Sequence, residues 1–516
     1  MSGQPKTTKS VFIPAPIDGL NLIANPAQLL PTEARDLRNY FCYPWGIRER
    51  SEDETIVSNA VPAAGDGELW SAQNTSGVKR LFLTYNDSGT GYVKRLDSPA
   101  DTTFTDITGA TDFASNGNVV KHAFEFNGKL WFIPYNGVPA EYDLDTEGNC
   151  VDMSFTGPVS LTHVGHGFNF KSRVYLIQDD LAGDSCSVWY GGVDAITGAL
   201  TKVNFRSIFE HPGKIAYGFS WGYNQGTENS ELFCLLSTSG ELLVYSGDYP
   251  AATNWSLLAR LQLPELQANN VRYPYVAKIG QEVLVPTSQG VINLSQVLAG
   301  TQANISYIKP TMKLGISANS LVALKYESSL PFLFAAPNYD IGYLPARQGY
   351  FAQNIETGAW SAILHTASVY DIQPYYECLY ALQGRDLVRI TFNISDNPAG
   401  SNAMDWHLAP VWKTPFFDFG THTEKASKML RVVGQDLSTD YDLRASCYIK
   451  TNFKDDTNIG AISAREEALA VGVTGVAEVS PPGIGRRLSY CLYKLPTGER
   501  NELYGFEAVY EDGGRY

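Results

Sequence analysis

No apolar run in this sequence reaches the roughly eighteen residues that a membrane-spanning helix needs. The first ten residues, MSGQPKTTKS, are polar and are not followed by an unbroken apolar stretch, so no secretory leader is expected. Cysteine is sparse and scattered. The seven, Cys42, Cys150, Cys186, Cys234, Cys378, Cys447 and Cys491, are odd in number and lack CxxC spacing. They offer neither a disulfide framework nor a zinc ligand set, and read as small buried hydrophobes of a protein assembled in a reducing compartment. Positive charge is short too: 39 Lys and Arg face 54 Asp and Glu, a net charge of −15, which excludes a conventional nucleic-acid binder with a basic surplus. Helical patterning is nearly missing, with one short helix expected over residues 32–40 and another over 464–470.

What is present is aromatic and turn-rich. Tyr, Phe and Trp make up 12% of the chain, beside 46 Gly and 27 Pro, the mix of many short strands joined by turns. One unit keeps returning: a strand, a tight turn, a second strand ending in an aromatic, then a looser link to an outer strand. Its clearest copies are HAFEFNGKLWFIPYNG (122–137), NFKSRVYLIQDD (169–180), LFCLLSTSGELLVYSGD (232–248), AKIGQEVLVPTSQGVINL (277–294) and ECLYALQGRDLVRITF (377–392). Asn127-Gly128 is a strong two-residue hairpin signal. The turn anchors Gly77, Gly128, Ser172, Gly240, Gly290, Ala346 and Gly384 recur irregularly around the ~40–50 residues of a four-stranded propeller blade. The expected fold is all-β: a β-propeller of roughly six to eight degenerate blades, whose ring closure leaves only short edges.

After the Gly/Asn/Ser/Pro-rich linker at 393–406 the pattern changes to half-exposed alternation, as in KMLRVVGQDLS and RRLSYCLYKL. The expected organisation is an N-terminal arm with a short helix (1–60), the propeller (61–400) and a β-sandwich (401–516) that the arm could complete. With prolines at 14, 16, 26 and 31, the arm cannot fold alone. It needs a surface on which to bury Ile17, Leu20, Leu22 and Leu29: its own sheet, the C-terminal sandwich or a neighbouring subunit.

Motifs that could carry chemistry lack the context for it. GFSWG (218–222) matches a nucleophile elbow at Ser220, but a polar loop and a strand follow where a helix is required. DLDTEGN (143–149) opens like a calcium loop, yet its twelfth position is Ser154 and not Glu. His163 and His166 have no evident third metal ligand. GIGRR (483–487) lacks the lysine and helix of a phosphate loop, leaving Arg486 and Arg487 for solvent or a partner. Trp255 and Trp360 follow turns as in sialidase-like blades, without the accompanying Asp. No catalytic, cofactor-binding or metal residue is nominated.

Residues 15–52 carry a resemblance. Ile17, Gly19, Leu20 and Asn21, then Glu33, Ala34, Leu37 and Asn39, then Gly46, Ile47, Arg48 and Arg50, resemble the opening of tail nozzle and tail hub proteins of short-tailed, podovirus-like bacteriophages. Ser51 and Glu52 stand where that family places a glycine. SCSVWYGG (185–192), PVWKTPFFDFG, KMLRVVG and GIGRRLSYCLYKL are similar to later segments of the same proteins. The resemblance implies a structural virion protein of the tail, assembled in the host cytoplasm, and not an enzyme. Its copies would form a homo-oligomeric ring, a hexamer, beneath the portal–adaptor ring. Tail fibres or spikes would dock on it, and DNA would pass through its channel without sequence-specific binding. The acidic charge suits such a conduit, since a wall of Asp and Glu would not hold a passing polyphosphate. Loops such as 222–230 or 338–349 could dock fibres. The competing reading is a carbohydrate-binding or carbohydrate-cleaving propeller, with Trp131, Trp189 or Trp221 as stacking platforms.

Overall fold

Short alternating segments closed by residues that tolerate positive φ can only make hairpins, and this chain makes one after another. Asn127 and Gly128, at φ 48° and 73°, join Val120–Phe126 to Lys129–Pro134; Lys171 and Ser172, at 47° and 54°, do the same for Val164–Phe170 and Arg173–Gln178. A computed structural model describes residues 7–22, 24, 28–51, 53–63, 67–116, 119–135, 137–157, 161–178, 185–211, 213–224, 229–264, 266, 276–287, 290–295, 321–337, 349–365, 367–392, 410–419, 425–435, 443–450, 467–468, 470–471, 476–479, 483–485, 487–494 and 502–512.

Among the described residues the hairpins form seven blades of a β-propeller, each beginning with its innermost strand. These strands are Gly67–Gln73, Val120–Phe126, Val164–Phe170, Ile215–Asn224, Ala277–Ile279, Leu321–Tyr326 and Val369–Tyr375. Five blades show four strands from consecutive sequence, and the fifth shows three. The seventh takes its outer strand from the N-terminal arm: Glu54–Val57 pairs with Asp386–Thr391, so the chain's beginning closes the ring. A single apolar cluster fills each seam, as Trp70, Phe82, Leu130 and Phe132 do between blades 1 and 2 and Tyr375, Tyr380, Leu69 and Leu83 between blades 7 and 1. Each large buried side chain contributes about 1.5–3 kcal/mol, so no blade need be stable alone.

The second body is a β-sandwich. One sheet runs Ala470–Val471, Val476–Val479, Lys425–Gln435, Glu502–Asp512, Gly46–Glu49 and Tyr40–Tyr43, with Thr7–Pro14 alongside Glu502–Asp512. The other runs Asp36–Arg38, Val411–Lys413, Arg487–Lys494, Leu443–Lys450 and Glu467–Ala468, and is continuous with blade 6. Between them lie Leu37, Tyr40, Ile47, Trp412, Leu430, Tyr490, Leu503 and Phe506. The same core extends into the seam of blades 5 and 6 through Ala277, Leu284, Leu333 and Phe351.

Two expectations change. The helix over 32–40 is instead three strand segments, Glu33–Ala34, Asp36–Arg38 and Tyr40–Tyr43. Their pairing with Val411–Lys413, Ala362 and Gly46–Glu49 outweighs the local helix propensity of Glu, Ala and Leu. Around 464–470 the described residues are strands as well, Glu467–Ala468 and the start of Ala470–Val471. The surface the arm needed is its own chain: Leu20 is fully buried, Leu29 buried, and Ile17 and Leu22 half-buried. Among the described residues no helix is long and apolar enough to cross a membrane.

Candidate functional site

Two clusters stand out, a clasp between propeller and sandwich and a polar array at the propeller axis. The clasp is built from the arm. Gly19 lies against the Trp360 main chain at φ 75°, where a Cβ would overlap the Trp360 amide and carbonyl. The Asn21 amide donates to Glu33 Oε1 at 3.1 Å, and Glu33 Oε2 accepts the Leu30 N–H at 3.1 Å. Asn39, fully buried at φ 58°, donates its N–H to the Ala362 carbonyl and accepts the Leu364 N–H on its side chain, both at 2.8 Å. Gly46 meets the Leu503 carbonyl, Arg48 pairs with Glu502 Oε1 at 2.8 Å, and the Trp45 indole N–H donates to the same oxygen at 2.8 Å. Burial would raise the Glu502 carboxyl, but the Trp45 and Arg48 hydrogen bonds outweigh it and hold the group below its usual value.

Arg50 ends the clasp. Its guanidinium meets Asp53 at 2.7 Å, and the other Asp53 oxygen accepts from His365 Nδ1 at 2.9 Å. Burial alone would push the Asp53 carboxyl up; the Arg50 and His365 charges more than reverse this and hold it well below the carboxylate range. Within residues 15–52, Gly19, Leu20, Asn21, Glu33, Ala34, Leu37, Asn39, Gly46, Ile47, Arg48 and Arg50 each lie in this clasp or in the core beside it, and Ile17 is half-buried.

At the axis, a repeated bulge in the innermost strands turns one residue per blade inward: His122, His166 and Tyr217 in blades 2, 3 and 4. His122 Nε2 donates to the Gly167 carbonyl at 2.8 Å and His166 Nε2 to the Gly218 carbonyl at 2.9 Å, so each blade bonds to the next. The rings lie tilted against one another, with centroids 3.9 and 4.1 Å apart and planes at 40° and 37°, and His122 also meets Tyr217 edge-on at 6.0 Å. Side chains of alternate blades can meet only near the axis. Burial pushes His122 down to about 4 and holds His166 well below its ordinary value, so both stay neutral at neutral pH. Across the axis, Lys325 of blade 6 meets Asp371 of blade 7 at 3.4 Å and the Leu69 carbonyl of blade 1 at 3.0 Å.

The motif residues singled out from the sequence are dispersed. Ser220 lies on the innermost strand of blade 4, with Lys278 Nζ 3.3 Å from its hydroxyl. Asp143 accepts the Asp145 and Thr146 amides and pairs with Lys129, Asp145 bonds Thr75, and Glu147 pairs with Arg80; their oxygens are spent on separate bonds. His163 sits in a 3-10 turn while His166 joins the axial stack. Among the described residues, no group of three or more His, Cys, Asp or Glu could hold a metal. Cys42, Cys150, Cys186 and Cys234 are buried thiols and Cys378 a half-buried one; burial pushes Cys150 up to about 12. Arg486, residues 225–228 and residues 338–348 lie outside the described residues; 222–224 and 229–230 are the ends of the strands Ile215–Asn224 and Asn229–Ser237.

The three tryptophans suggested as sugar platforms are buried in seams. Trp131 donates to Glu141 at 3.0 Å, Trp189 to Gln178 at 3.0 Å and Trp221 to the Gln281 carbonyl at 2.8 Å. Trp255 stacks on Tyr245, and Trp360 is buried in the large core. A cleft between blades 4 and 5, lined by Ala216, Tyr217, Leu236 and Val285, has a free interior of about 10 Å³, room for one water. What the sequence did carry unnoticed was the pattern His-Ala-Phe at 122–124 and His-Gly-Phe at 166–168, the signature of the axial ladder.

No family model matches the chain, and no curated protein matches it. Solved structures do. BBS1N in complex with ARL6DN is 10% identical, with a TM-score of 0.41 over 68% of this chain and 98% of that one. Sqt1 of Saccharomyces cerevisiae is 11% identical, with a TM-score of 0.38 over 62% and 82%. YCF48 from Cyanidioschyzon merolae is 9% identical, with a TM-score of 0.36 over 67% and 98%. Likeness at this level says nothing of function, and the β-propeller fold stands on the blades and seams themselves.

Proposed function

We propose that this chain is a structural subunit of a phage tail, of the nozzle or hub kind, which assembles as a homohexameric ring beneath the portal–adaptor ring and encloses the path by which DNA leaves. The observation that carries this reading is the clasp. The arm residues that resemble the tail family, from Gly19 to Arg50, fasten propeller to sandwich through a nine-stranded sheet that runs from blade 6 into the second body. Such a joint suits a wall element, in which relative motion of two bodies would open gaps.

The axis supports the same reading from another side. With the His122, His166 and Tyr217 rings packed together across it, the propeller's own centre cannot admit a duplex whose major groove alone is about 12 Å wide. A conduit would have to lie between copies, by heterologous contacts that close into a ring. The net charge of −15 favours release over retention of DNA along such a wall. Portal–adaptor proteins and fibres or spikes are its partners on this reading, and the tail of the virion, put together in the host cytoplasm, is its location.

Electron microscopy of the purified protein, alone and with its adaptor partner, tests this. Annular particles are expected; folded monomers under every assembly condition would overturn it. The carbohydrate reading gains no support, because Trp131, Trp189 and Trp221 are consumed by blade packing.

A further inference from the structure

We propose that the N-terminal strand Thr7–Pro14 is an exchange strand: in the ring of copies it leaves its own sheet and pairs with the same edge, Gly505–Asp512, of a neighbouring copy. The inference rests on the ring reading and names the contact that joins one subunit to the next.

The way this strand is held argues for it. Among the described residues it pairs with one strand alone, Glu502–Asp512, in an unbroken antiparallel register from Thr7 opposite Asp512 to Pro14 opposite Gly505. Thr7, Thr8, Lys9, Ser10 and Phe12 are exposed; only Ile13 is buried, with Val11 half-buried against the same core. A terminal strand that buries so little apolar surface opens at a free energy well below that of global unfolding. The strand it leaves keeps Lys425–Gln435 on its other side, so the sheet persists. Its bared edge is then a template for another strand.

The segment also has a pivot. Pro14 and Pro16 flank Ala15; neither proline has an N–H to give to a ladder, and both hold the chain extended. Beyond them the arm is fixed: the Ala15 N–H donates to the Tyr504 carbonyl at 2.9 Å, and Leu20 and Ala34 are fully buried. A swing about the pivot therefore moves eight residues and leaves the clasp intact.

Two keys select a second copy as the occupant of the edge. Lys9 Nζ meets Asp512 at 2.6 Å, and Phe12, 54% exposed, sets its ring against Gly505, where a Cβ would stand 2.6 Å from it. The charge pair at one end and the glycine notch at the other fix the register, and a slip by one residue would turn Ile13 out of the core. Another copy of this strand brings Lys, Phe and Ile at the matching spacing, so each bond broken within the chain is remade between chains. Passing the strand from each copy to the next is a heterologous contact, the kind that closes into a ring.

The test uses the full-length protein, grown in ordinary and in nitrogen-15 medium, mixed in equal amounts as dissociated subunits and assembled. A carbodiimide then joins Lys9 Nζ to the Asp512 carboxylate as an amide, itself taking up the water released, and mass spectrometry reads the linked peptides. About half of the Lys9–Asp512 links are expected to pair a light with a heavy peptide, as random exchange between copies requires. Annular particles whose links are all of one isotope overturn the exchange and leave the ring reading standing; folded monomers under every assembly condition, with links of one isotope, overturn both. A second arm needs no assembly in vitro. Ser10 lies opposite Val509 in the register, so differently tagged chains carrying Ser10→Cys alone and Val509→Cys alone, expressed together and oxidised, are expected to be joined by a disulfide absent from oxidised wild type. Failure of the two chains to link, with both folded and assembled, overturns the exchange.

Discussion

The side-chain oxygen of Asn39 accepts the main-chain N–H of Leu364 at 2.8 Å, joining positions 325 residues apart in sequence. Asn39 also donates to the Ala362 carbonyl and accepts the Arg50 N–H, from a left-handed φ of 58°. Asparagine tolerates that conformation and alanine does not. Asn39→Ala should cost about 2–4 kcal/mol, from the left-handed strain together with a buried Leu364 N–H left unpaired. Asn39→Gly, which removes only the acceptor, should cost less. Thermal unfolding of the three proteins checks the order, and an Asn39→Ala protein as stable as wild type would refute this role.

A second prediction concerns how blades lock. A Cβ on Gly167 would overlap the Phe124 ring of blade 2, and one on Gly218 the Phe168 ring of blade 3. Gly167→Ala is therefore expected to destabilise by about 1–3 kcal/mol through overpacking. In the background of Phe124→Leu the same substitution should cost clearly less, a coupling that a double-mutant cycle reads directly. Additive effects would mean that ring and glycine do not press on each other.

How far the sequence disclosed this fold depends on which turn carried the signal. Gly77, Gly128 and Ser172 each mark the turn after an innermost strand, but Gly240 and Gly384 lie one turn later, between the second and third strands. Mixing the two turn classes made the spacing irregular and left the blade count as a range. The arm was misread locally because Glu33, Ala34 and Leu37 favour helix, whereas their partners, Lys413 and Ala362 among them, lie hundreds of residues away. Lys278 beside Ser220 was invisible for the same reason: 58 residues separate them and no periodicity links them.

The axial histidines make stability depend on pH above the range where carboxylates titrate. In the unfolded chain a histidine titrates near 6.5, whereas burial holds folded His122 near 4 and His166 well below its ordinary value, with Lys121, Lys278 and Tyr217 around them. Above pH 6.5 their contribution is complete. As pH falls from 6.5 toward 4 the unfolded chain takes up protons that the folded one refuses. Stability then drops by up to about 1.4 kcal/mol per pH unit for each histidine. The unfolding midpoint in denaturant, measured from pH 7 to 4.5, should fall more steeply for wild type than for His122→Gln. Parallel profiles would show that His122 is not held neutral.

The sharpest consequence of the clasp lies at Asp53. Its carboxylate is buried between Arg50 and His365, and its depressed pKa means that its contribution is complete above the unfolded value near 3.8 and is lost as pH falls below it. Asp53→Asn removes the charge but keeps the shape, leaving the nearly buried Arg50 guanidinium without its ion-pair partner, a defect that costs about 3–5 kcal/mol. Removing the cation as well should restore much of that loss, since a buried pair replaced by neutral groups is often nearly neutral in stability. The double variant Asp53→Asn/Arg50→Met is therefore expected to be more stable than Asp53→Asn alone. The opposite order would mean that Arg50 holds the clasp through contacts other than this carboxylate. The joint between arm, blade 6 and blade 7 would then rest on the Asn39 bonds and the strand Glu54–Val57, and not on charge.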